Sequence, residues 1–248
     1  MRKDLLSIAK NTACRVRDIL MEKSPDQLAV IDDDNKDIKL AADFIAHNYI
    51  MDALDKTNIP VFSEECENIE NFTLNKYQWI IDPLDGTLNY FRGFKMSAVS
   101  ISLWEDGEPK LGVIAPVFSN DIYFAEKGRG AWKNDDRIFV SKTNKKKDAV
   151  LVTGFPSGRN YAETSLLNTL KNISEYKKVR MIGSAAMMLN MVASGIFDVY
   201  EEEDIFIWDV AAGLALVREA GGYFSMVKGS NTVKYNVKAS NKNLFNAL

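Results

Sequence analysis

Carboxylate side chains follow two apolar runs in the N-terminal half of the sequence. The segment Asp82-Pro83-Leu84-Asp85-Gly86-Thr87 places two carboxylates three positions apart, directly after residues 77–81, which are rich in β-formers. Its proline is expected to end the hydrogen-bonded ladder of a strand, and its glycine can adopt backbone angles that other residues resist. The segment is suited to curl around a bound ion or phosphate, although Asp, Pro and Gly are also ordinary turn formers.

More acids stand at the ends of neighbouring elements. Glu64 and Glu65 follow the strand-like run Pro60-Val61-Phe62, and Asp209 is expected to start a helix after Trp208. If such carboxylates converge within about 5 Å, their repulsion costs several kcal/mol unless protons or cations compensate it. All-oxygen ligands favour hard ions such as Mg²⁺, Mn²⁺ or Ca²⁺, and this set lacks the His and Cys ligands that zinc usually takes. The acids therefore predict a divalent-cation site, with Mg²⁺ as the first choice.

The elements that would position these acids alternate between helices and strands. Apolar residues at spacings of three and four predict an amphipathic helix near the N-terminus, with Leu5, Leu6, Ala9, Val16, Ile19 and Leu20 on its buried face. Short strands broken by turns predict an antiparallel meander over residues 98–132. Further helices are predicted over residues 40–54, 161–173, 185–193 and 209–220. Met187, Met188 and Met191 are predicted to fill the core from one of them.

The composition is that of an ordinary soluble globular protein. Of the 248 residues, 46% are apolar and 26% are charged, and a net charge of -3 argues against nucleic acid as the main partner. Cys14 and Cys66 fit no ligand spacing, which suits a reducing compartment. The charged N-terminus lacks the apolar stretch of a signal peptide, and no stretch reaches the roughly 18 to 20 apolar residues of a membrane span. We expect a cytoplasmic protein without a membrane partner.

The same survey predicts one domain over residues 1–248, because no repeat or linker separates independent parts. A division into two lobes near Ala149 is the alternative.

Several ordered motifs resemble those of the inositol monophosphatase family. The run from Trp79 to Asn89, which contains the two aspartates, resembles the first signature of that family, and Trp208-Asp209-Val210-Ala211-Ala212-Gly213 resembles the second. Three shorter segments are similar to further family positions: Ser63-Glu64-Glu65, Gly183-Ser184-Ala185-Ala186 and Ala239-Ser240-Asn241. The resemblance covers nearly the whole chain. It implies an α+β fold, a layered α/β/α/β/α sandwich of the sugar phosphatase type, usually dimeric.

The resemblance also implies roles for individual residues. Glu64 and Asp82 with the Leu84 carbonyl would hold one Mg²⁺, Asp82 with Asp85 and Asp209 would hold a second, and Glu64 and Glu65 would support a third. The implied catalytic residues are Asp43, Glu65 and Thr87, with Thr87 hydrogen-bonded to Asp43 to orient water. The implied substrate contacts are Gly86, Thr87, Gly183, Ser184, Ala185, Glu202 and Asp209.

Some of these residues also have simpler explanations. Asp43 lies near a predicted helix start, where an acid is often only a partner of the helix dipole. The Leu40-Ala41-Ala42 that precedes it departs from the Thr-rich pattern of the family. Glu202 belongs to an acidic run, residues 201–204, which could equally be a solvated loop. His47 is interpreted as structural, because no G-x-S-x-G nucleophile pattern accompanies it.

The resemblance implies Mg²⁺-dependent hydrolysis of a small phosphate monoester, with inositol 1-phosphate or a related polyol or sugar monophosphate as the first choice. Fructose 1,6-bisphosphate, histidinol phosphate and adenosine 3',5'-bisphosphate are the alternatives, since related families use the same metal centre. Arg92 and Phe206, which occupy positions that vary among these families, leave the choice open. Sensitivity to Li⁺ is a further implication. The alternative of a different class is a regulatory metal-binding protein.

Overall fold

Two large β-sheets alternate with three layers of helices in this chain. The computed structural model describes residues 4–22, 29–34, 37–66, 69–155 and 161–246. The helices are α1 (Leu5–Glu22), α2 (Ala41–Asp55), α3 (Thr87–Phe91), α4 (Glu163–Ile173), α5 (Ala185–Ala193), α6 (Ile207–Glu219) and α7 (Lys242–Phe245). None of the described helices has the length and apolar character needed to cross a membrane.

The strands fall into a hairpin and two sheets. The hairpin pairs β1 (Val30–Asp34) with β2 (Asp37–Leu40). The larger sheet has seven strands in sequence order: β3 (Val61–Ser63), β4 (Gln78–Asp85), β5 (Ala98–Glu105), β6 (Glu108–Pro116), β7 (Tyr123–Glu126), β8 (Gly130–Lys133) and β9 (Asp136–Arg137). The smaller sheet contains β10 (Val150–Val152), β11 (Lys178–Arg180), β12 (Val199–Phe206), β13 (Gly222–Lys228) and β14 (Lys234–Asn241), in the order β11-β10-β12-β14-β13.

The first helical layer covers one face of the seven-stranded sheet. Ala9, Ala13, Val16 and Leu20 of α1 are buried, because they recur at helical spacing on the face that meets the sheet. They share a core cluster with residues of α2, β4, β5 and β6. From β4 onward the neighbouring strands are antiparallel, which confirms the predicted meander, whereas β3 and β4 are parallel.

The second helical layer, α5 and α6, lies between the two sheets. Its core cluster joins Ile80 and Trp104 of the large sheet to Met188 and Trp208 of the helices. The predicted core role of the methionines is confirmed, since Met188 is buried and Met191 packs against the same cluster. Close approach of α6 to β6 requires a glycine: a Cβ on Gly112 would lie 2.5 Å from the backbone oxygen of Ala212. The helices thus fill the space that separates the sheets.

The third helical layer lies on the outer face of the five-stranded sheet. Leu244 of α7 packs with Leu151 and Val199 of that sheet, and Asn172 of α4 reaches Glu201 across a polar cavity. Together the layers give the predicted α/β/α/β/α sandwich, and the predicted fold class is confirmed.

Three local predictions differ from the structure. β4 does not stop at Asp82 but continues to Asp85, because a bulge between those two residues lets the strand pass Pro83 while it stays paired with β5. The acidic run of residues 201–204 belongs to β12 rather than to a solvated loop, and Glu202 is buried within it. α6 begins at Ile207, so Asp209 lies in its first turn instead of at its start.

Candidate active site

A polar cavity of about 290 Å³ opens where β4, α5 and β12 end or begin. Its walls contain all the residues that the sequence nominated except Asp43 and Glu65. The nominated residues that line it are Glu64, Asp82, Leu84, Asp85, Gly86, Thr87, Gly183, Ser184, Ala185, Glu202 and Asp209. Residues that lie more than 100 positions apart in sequence therefore meet in one cavity.

Three aspartates form the floor of the site. Asp82, Asp85 and Asp209 each offer a carboxylate oxygen, and these oxygens all lie within 4.8 Å of one another. Asp82 is 1% exposed. Burial, followed by the charges of Glu64, Asp85 and Asp209, raises the pKa of Asp82 well above its usual value. The cluster concentrates negative charge at a point that water reaches poorly.

The bulge in β4 turns both of its carboxylates to the same side. Asp82 Oδ1 accepts a hydrogen bond from the backbone N–H of Leu84 at 2.9 Å, a local turn that curls the strand around its own side chain. Gly86 then adopts φ +83°, in the left-handed region that favours glycine, and α3 begins at the next residue. The sequence prediction of a curled segment was right, although the curl lies inside a strand.

Asp85 also binds the first turn of α5, whose N-cap residue is Ser184. Its Oδ2 accepts the backbone N–H of Ala186 at 2.8 Å and a hydrogen bond from the Ser184 hydroxyl. Burial nevertheless raises the pKa of Asp85 to about 6, above its usual value, because these hydrogen bonds offset only part of the desolvation. Ser184 in turn accepts the Met187 N–H at 3.2 Å, so its hydroxyl is already engaged within the protein.

The hydrogen bond expected between Thr87 and Asp43 is present. Thr87 Oγ1 lies 2.9 Å from Asp43 Oδ1 and 3.0 Å from the Leu84 carbonyl oxygen, and its single proton is shared between these two acceptors. Asp43 Oδ2 accepts the Leu40 N–H at 2.8 Å, so the same carboxylate also caps α2. Burial raises the pKa of Asp43 to about 6. Both explanations of this residue, helix partner and site residue, are compatible with its contacts.

Glu65 lies beside the cavity rather than in its wall. Its carboxylate is 4% exposed and pairs with Lys39 Nζ at 2.9 Å. Glu64, its neighbour, lines the cavity and contributes to the raised pKa of Asp82. The two glutamates that the sequence treated as a pair therefore have different surroundings.

The cavity is also lined by residues that were not among the nominated site residues. Gly154, Phe155 and Ile205 line the cavity, and Phe206 stacks on Trp208 with ring centroids 4.5 Å apart. Gly154 and Phe155 follow an ordinary strand, and no spacing or charge pattern marks them in the sequence.

Asn89 is another residue whose role in the site was missed. Its side-chain nitrogen donates to the carbonyl oxygens of Met96 and Ile182, both at 2.8 Å, and lies 3.1 Å from that of Gly183. It thereby fastens α3 to the turn before α5. Its place in the first signature was the available signal, but that signal did not reveal its partners.

The donor set at the floor of the cavity fits a hard divalent cation. Carboxylates of Asp82, Asp85 and Asp209 converge within 4.8 Å, and the raised pKa of Asp82 reflects first its burial and then the repulsion that a cation would relieve. Carboxylate oxygen is the donor type that Mg²⁺ prefers.

Known proteins resemble this chain in sequence. Residues 1–247 match the model of the inositol monophosphatase family. "Nus factor SuhB" of Escherichia coli (strain K12) is 32% identical over 251 residues, which cover 98% of this chain and 94% of that protein. The "Fructose-1,6-bisphosphatase/inositol-1-monophosphatase" of Aquifex aeolicus is 41% identical over 154 residues, which cover 62% of this chain and 58% of that protein. The alignments span 58% to 66% of the length of several curated relatives.

The fold comparison covers the chain more fully. The crystal structure of the extragenic suppressor protein suhB from Bartonella henselae superposes with a TM-score of 0.84 at 31% identity, covering 97% of this chain and 95% of that one. Since the family model spans almost every residue and relatives above 30% identity align along the whole length, this protein belongs to the inositol monophosphatase family.

Proposed function

We propose that this protein is a Mg²⁺-dependent phosphatase that hydrolyses a small phosphate monoester. The observation that carries the proposal is the convergence of Asp82, Asp85 and Asp209 within 4.8 Å, next to the turn formed by Gly86 and Thr87. Membership of the inositol monophosphatase family supports the phosphatase class.

The proposed ligands for two or three Mg²⁺ ions are Glu64, Asp82, the Leu84 carbonyl, Asp85 and Asp209, with Glu65 as support for the third. When bound, such ions would polarise the phosphoryl oxygens and lower the pKa of a water molecule. Thr87, held by Asp43, would orient that water, and the N–H groups of Gly86 and Thr87 would bind the phosphate. Together these contacts would hold the ester in line with the attacking oxygen.

The leaving group would contact the wall formed by Gly183, Ser184, Ala185, Glu202 and Asp209. Buried carboxylate and backbone groups suit hydroxyl groups, so a polyol or sugar monophosphate is the proposed substrate class, with inositol 1-phosphate first. The name of the Aquifex aeolicus relative includes both fructose-1,6-bisphosphatase and inositol-1-monophosphatase, which keeps a sugar bisphosphate as an alternative. Histidinol phosphate and adenosine 3',5'-bisphosphate remain candidates to be tested.

The proposal includes a homodimer, a cytoplasmic location and sensitivity to Li⁺. We also propose a single domain, because one core cluster contains residues from both sides of position 149, among them Trp104 and Trp208.

The test measures Mg²⁺-dependent phosphate release from inositol 1-phosphate, fructose 1,6-bisphosphate, histidinol phosphate and adenosine 3',5'-bisphosphate. The Asp82→Asn variant is the control, since it removes the most buried of the three acids. Phosphate release that needs Mg²⁺ and disappears in the variant supports the proposal, and the preferred ester identifies the substrate class. Equal release by both proteins would contradict it.

A second candidate is a protein-binding factor. The Escherichia coli relative that aligns over 98% of this chain is named Nus factor SuhB. Binding of Mg²⁺ without phosphate release from any of the four esters would favour this candidate over the enzyme.

A further inference from the structure

Glu202 is fixed in the wall of the cavity by two neighbours that the proposed function does not use. Tyr200 and Glu202 lie two positions apart on β12, so their side chains share a face of the strand. Tyr200 is completely buried, and its hydroxyl donates a hydrogen bond to Glu202 Oε2. Glu202 itself is 7% exposed and lines the cavity with Gly183 and Asp209.

Gly154 leaves the space that the same carboxylate occupies. A Cβ at this position would lie 3.1 Å from Glu202 Cδ and would overlap Oε1. The carboxylate therefore rests against bare backbone, and any larger residue at position 154 would displace it. The backbone of Gly154 is not in the left-handed region, so the need for glycine comes from space alone.

Burial, together with the charges around Tyr200, keeps its hydroxyl protonated and able to donate a hydrogen bond. Burial, then the charges of Glu202, Asp209 and Asp85, raise the pKa of Tyr200 well above its usual value. The phenol thus retains its proton at any ordinary pH and donates a hydrogen bond to the carboxylate of Glu202. A carboxylate with a fixed donor on one oxygen has a defined orientation toward the cavity.

We propose that Tyr200 and Gly154 are positioning residues that orient Glu202 to accept hydroxyl groups of the leaving group, so that the site selects phosphate esters of polyhydroxylated compounds. This inference rests on the proposed function. In this inference the contacts of Glu202 with Tyr200 and Gly154 determine which ester binds. The aspartates at the cation site act in the reaction at phosphorus.

The chain offers a matched control for this contact. Tyr176 donates a hydrogen bond to Glu201 Oε1 at 2.9 Å, so Glu201, the residue before Glu202, also has a tyrosine partner. Neither Tyr176 nor Glu201 lines the active-site cavity. Glu201 lines the polar cavity beside α4, which Glu202 also borders, and it does not line the active-site cavity. Tyr176→Phe therefore removes the same type of hydrogen bond without touching the proposed substrate wall.

The experiment compares inositol 1-phosphate with phenyl phosphate, whose leaving group has no further hydroxyl. In Tyr200→Phe we expect kcat/KM for inositol 1-phosphate to fall about tenfold because KM rises about tenfold. The value of kcat/KM for phenyl phosphate should stay within about twofold of wild type. Gly154→Ala should give the same pattern because the added methyl group displaces the Glu202 carboxylate. Tyr176→Phe should leave the kinetic constants for both esters unchanged. Equal changes for both esters in Tyr200→Phe, or no change for either, would overturn the inference.

Failure of the proposed function is distinguishable from failure of this inference. If wild type hydrolyses neither of these two esters and none of fructose 1,6-bisphosphate, histidinol phosphate and adenosine 3',5'-bisphosphate, the phosphatase proposal fails. The dissociation constants of inositol 1-phosphate and inorganic phosphate, measured by calorimetry with Mg²⁺, then decide the inference. Tyr200→Phe should then raise the dissociation constant of inositol 1-phosphate about tenfold relative to that of inorganic phosphate. An unchanged ratio would overturn it.

Discussion

At the scale of single residues, the site is a balance between burial and charge. Asp82 is 1% exposed and has acidic neighbours, and its raised pKa reflects both conditions. A folded chain without a cation must tolerate this repulsion or bind protons instead. The aspartates therefore weaken the fold while they create the capacity to bind a cation.

The Asp82→Asn variant should separate these two effects. Mg²⁺-dependent phosphate release is expected to fall by at least about 10³-fold, because a central metal ligand is lost. In EDTA the variant should melt at a higher temperature than wild type, since a buried charge has been removed, by about 2 to 4 °C for each kcal/mol gained. Thermal unfolding followed by circular dichroism measures the second effect, and a lower melting temperature would contradict this account of the site.

Lys39 provides another residue-scale test. Lys39→Met leaves the buried Glu65 carboxylate without its 2.9 Å partner, and the free energy of unfolding should fall by about 1 kcal/mol because water can replace part of the interaction. Lys39→Arg should retain most of it. Urea unfolding of the three proteins checks this, and identical midpoints would mean that the ion pair contributes nothing.

Residue chemistry was largely predictable from the sequence, whereas residue partners were not. The acids and the Gly86–Thr87 turn stand in recognisable motifs, and the structure gathers most of them in one cavity. The ion pair between Lys39 and Glu65 joins residues 26 positions apart, so only the folded arrangement reveals it. The same holds for the contact between Gly154 and Glu202.

At the scale of elements, the β4–α3 connection sets the geometry of the site. Gly86 has φ +83°, and a Cβ there would lie 2.9 Å from the Met96 carbonyl oxygen and 3.2 Å from that of Gly183. The turn is thus restricted both by its backbone conformation and by its neighbours.

Gly93 allows these two restrictions to be separated. It has φ +71° but no atom within 4 Å of a built Cβ. Gly93→Ala should therefore cost only the backbone strain, about 1 kcal/mol of unfolding free energy. Gly86→Ala should cost more and should reduce phosphate release at least about tenfold, because Thr87 and its N–H would shift. Unfolding and turnover measured on both variants test this, and equal effects would show that crowding around Gly86 is unimportant.

Helices were easier to predict than strand limits. The sequence pattern located α1 and α5 closely, since α1 buries an apolar stripe and α5 buries eight of its nine residues. The predictions at Pro83 and at the acidic run of β12 were wrong, because proline and charged residues are normally rare inside a strand. Here a bulge accommodates the proline, and neighbouring side chains bind the buried glutamates.

At the scale of the whole molecule, the two sheets could not be assigned in full from the sequence. The meander follows chain order, and its turns are visible in the sequence. In the smaller sheet β10 lies between β11 and β12, with parallel pairing on both sides, and β14 lies between β12 and β13. Such order depends on how the helices pack, which local patterns do not encode.

The carboxyl pKa values also predict how the whole fold responds to pH. The pKa values of Asp43 and Asp85 are raised to about 6, so without metal the folded chain holds protons more tightly than the unfolded chain. The stability from these groups is present at low pH and is lost as pH rises through about 6. Of these two residues, Asp85 is a proposed Mg²⁺ ligand, and there Mg²⁺ should replace the lost proton.

The difference in melting temperature between Mg²⁺ and EDTA should therefore be larger at about pH 7.5 than at about pH 5. Differential scanning calorimetry at the two pH values measures it. The Asp82→Asn variant serves as the control, because its difference should be small at both. A difference that is greatest at the lower pH would contradict the assignment of Asp82, Asp85 and Asp209 to a cation site.

Asp85 bears on how such a site is inherited. Its carboxylate caps α5 through Ala186 and Ser184 while it faces the other aspartates. A descendant that abandoned catalysis would still use this carboxylate to bind the first turn of the helix between its sheets, so selection for folding would favour keeping it. Retention of Asp85 in a relative is accordingly weak evidence that the relative is an enzyme, and the fate of Asp82 is the more informative record.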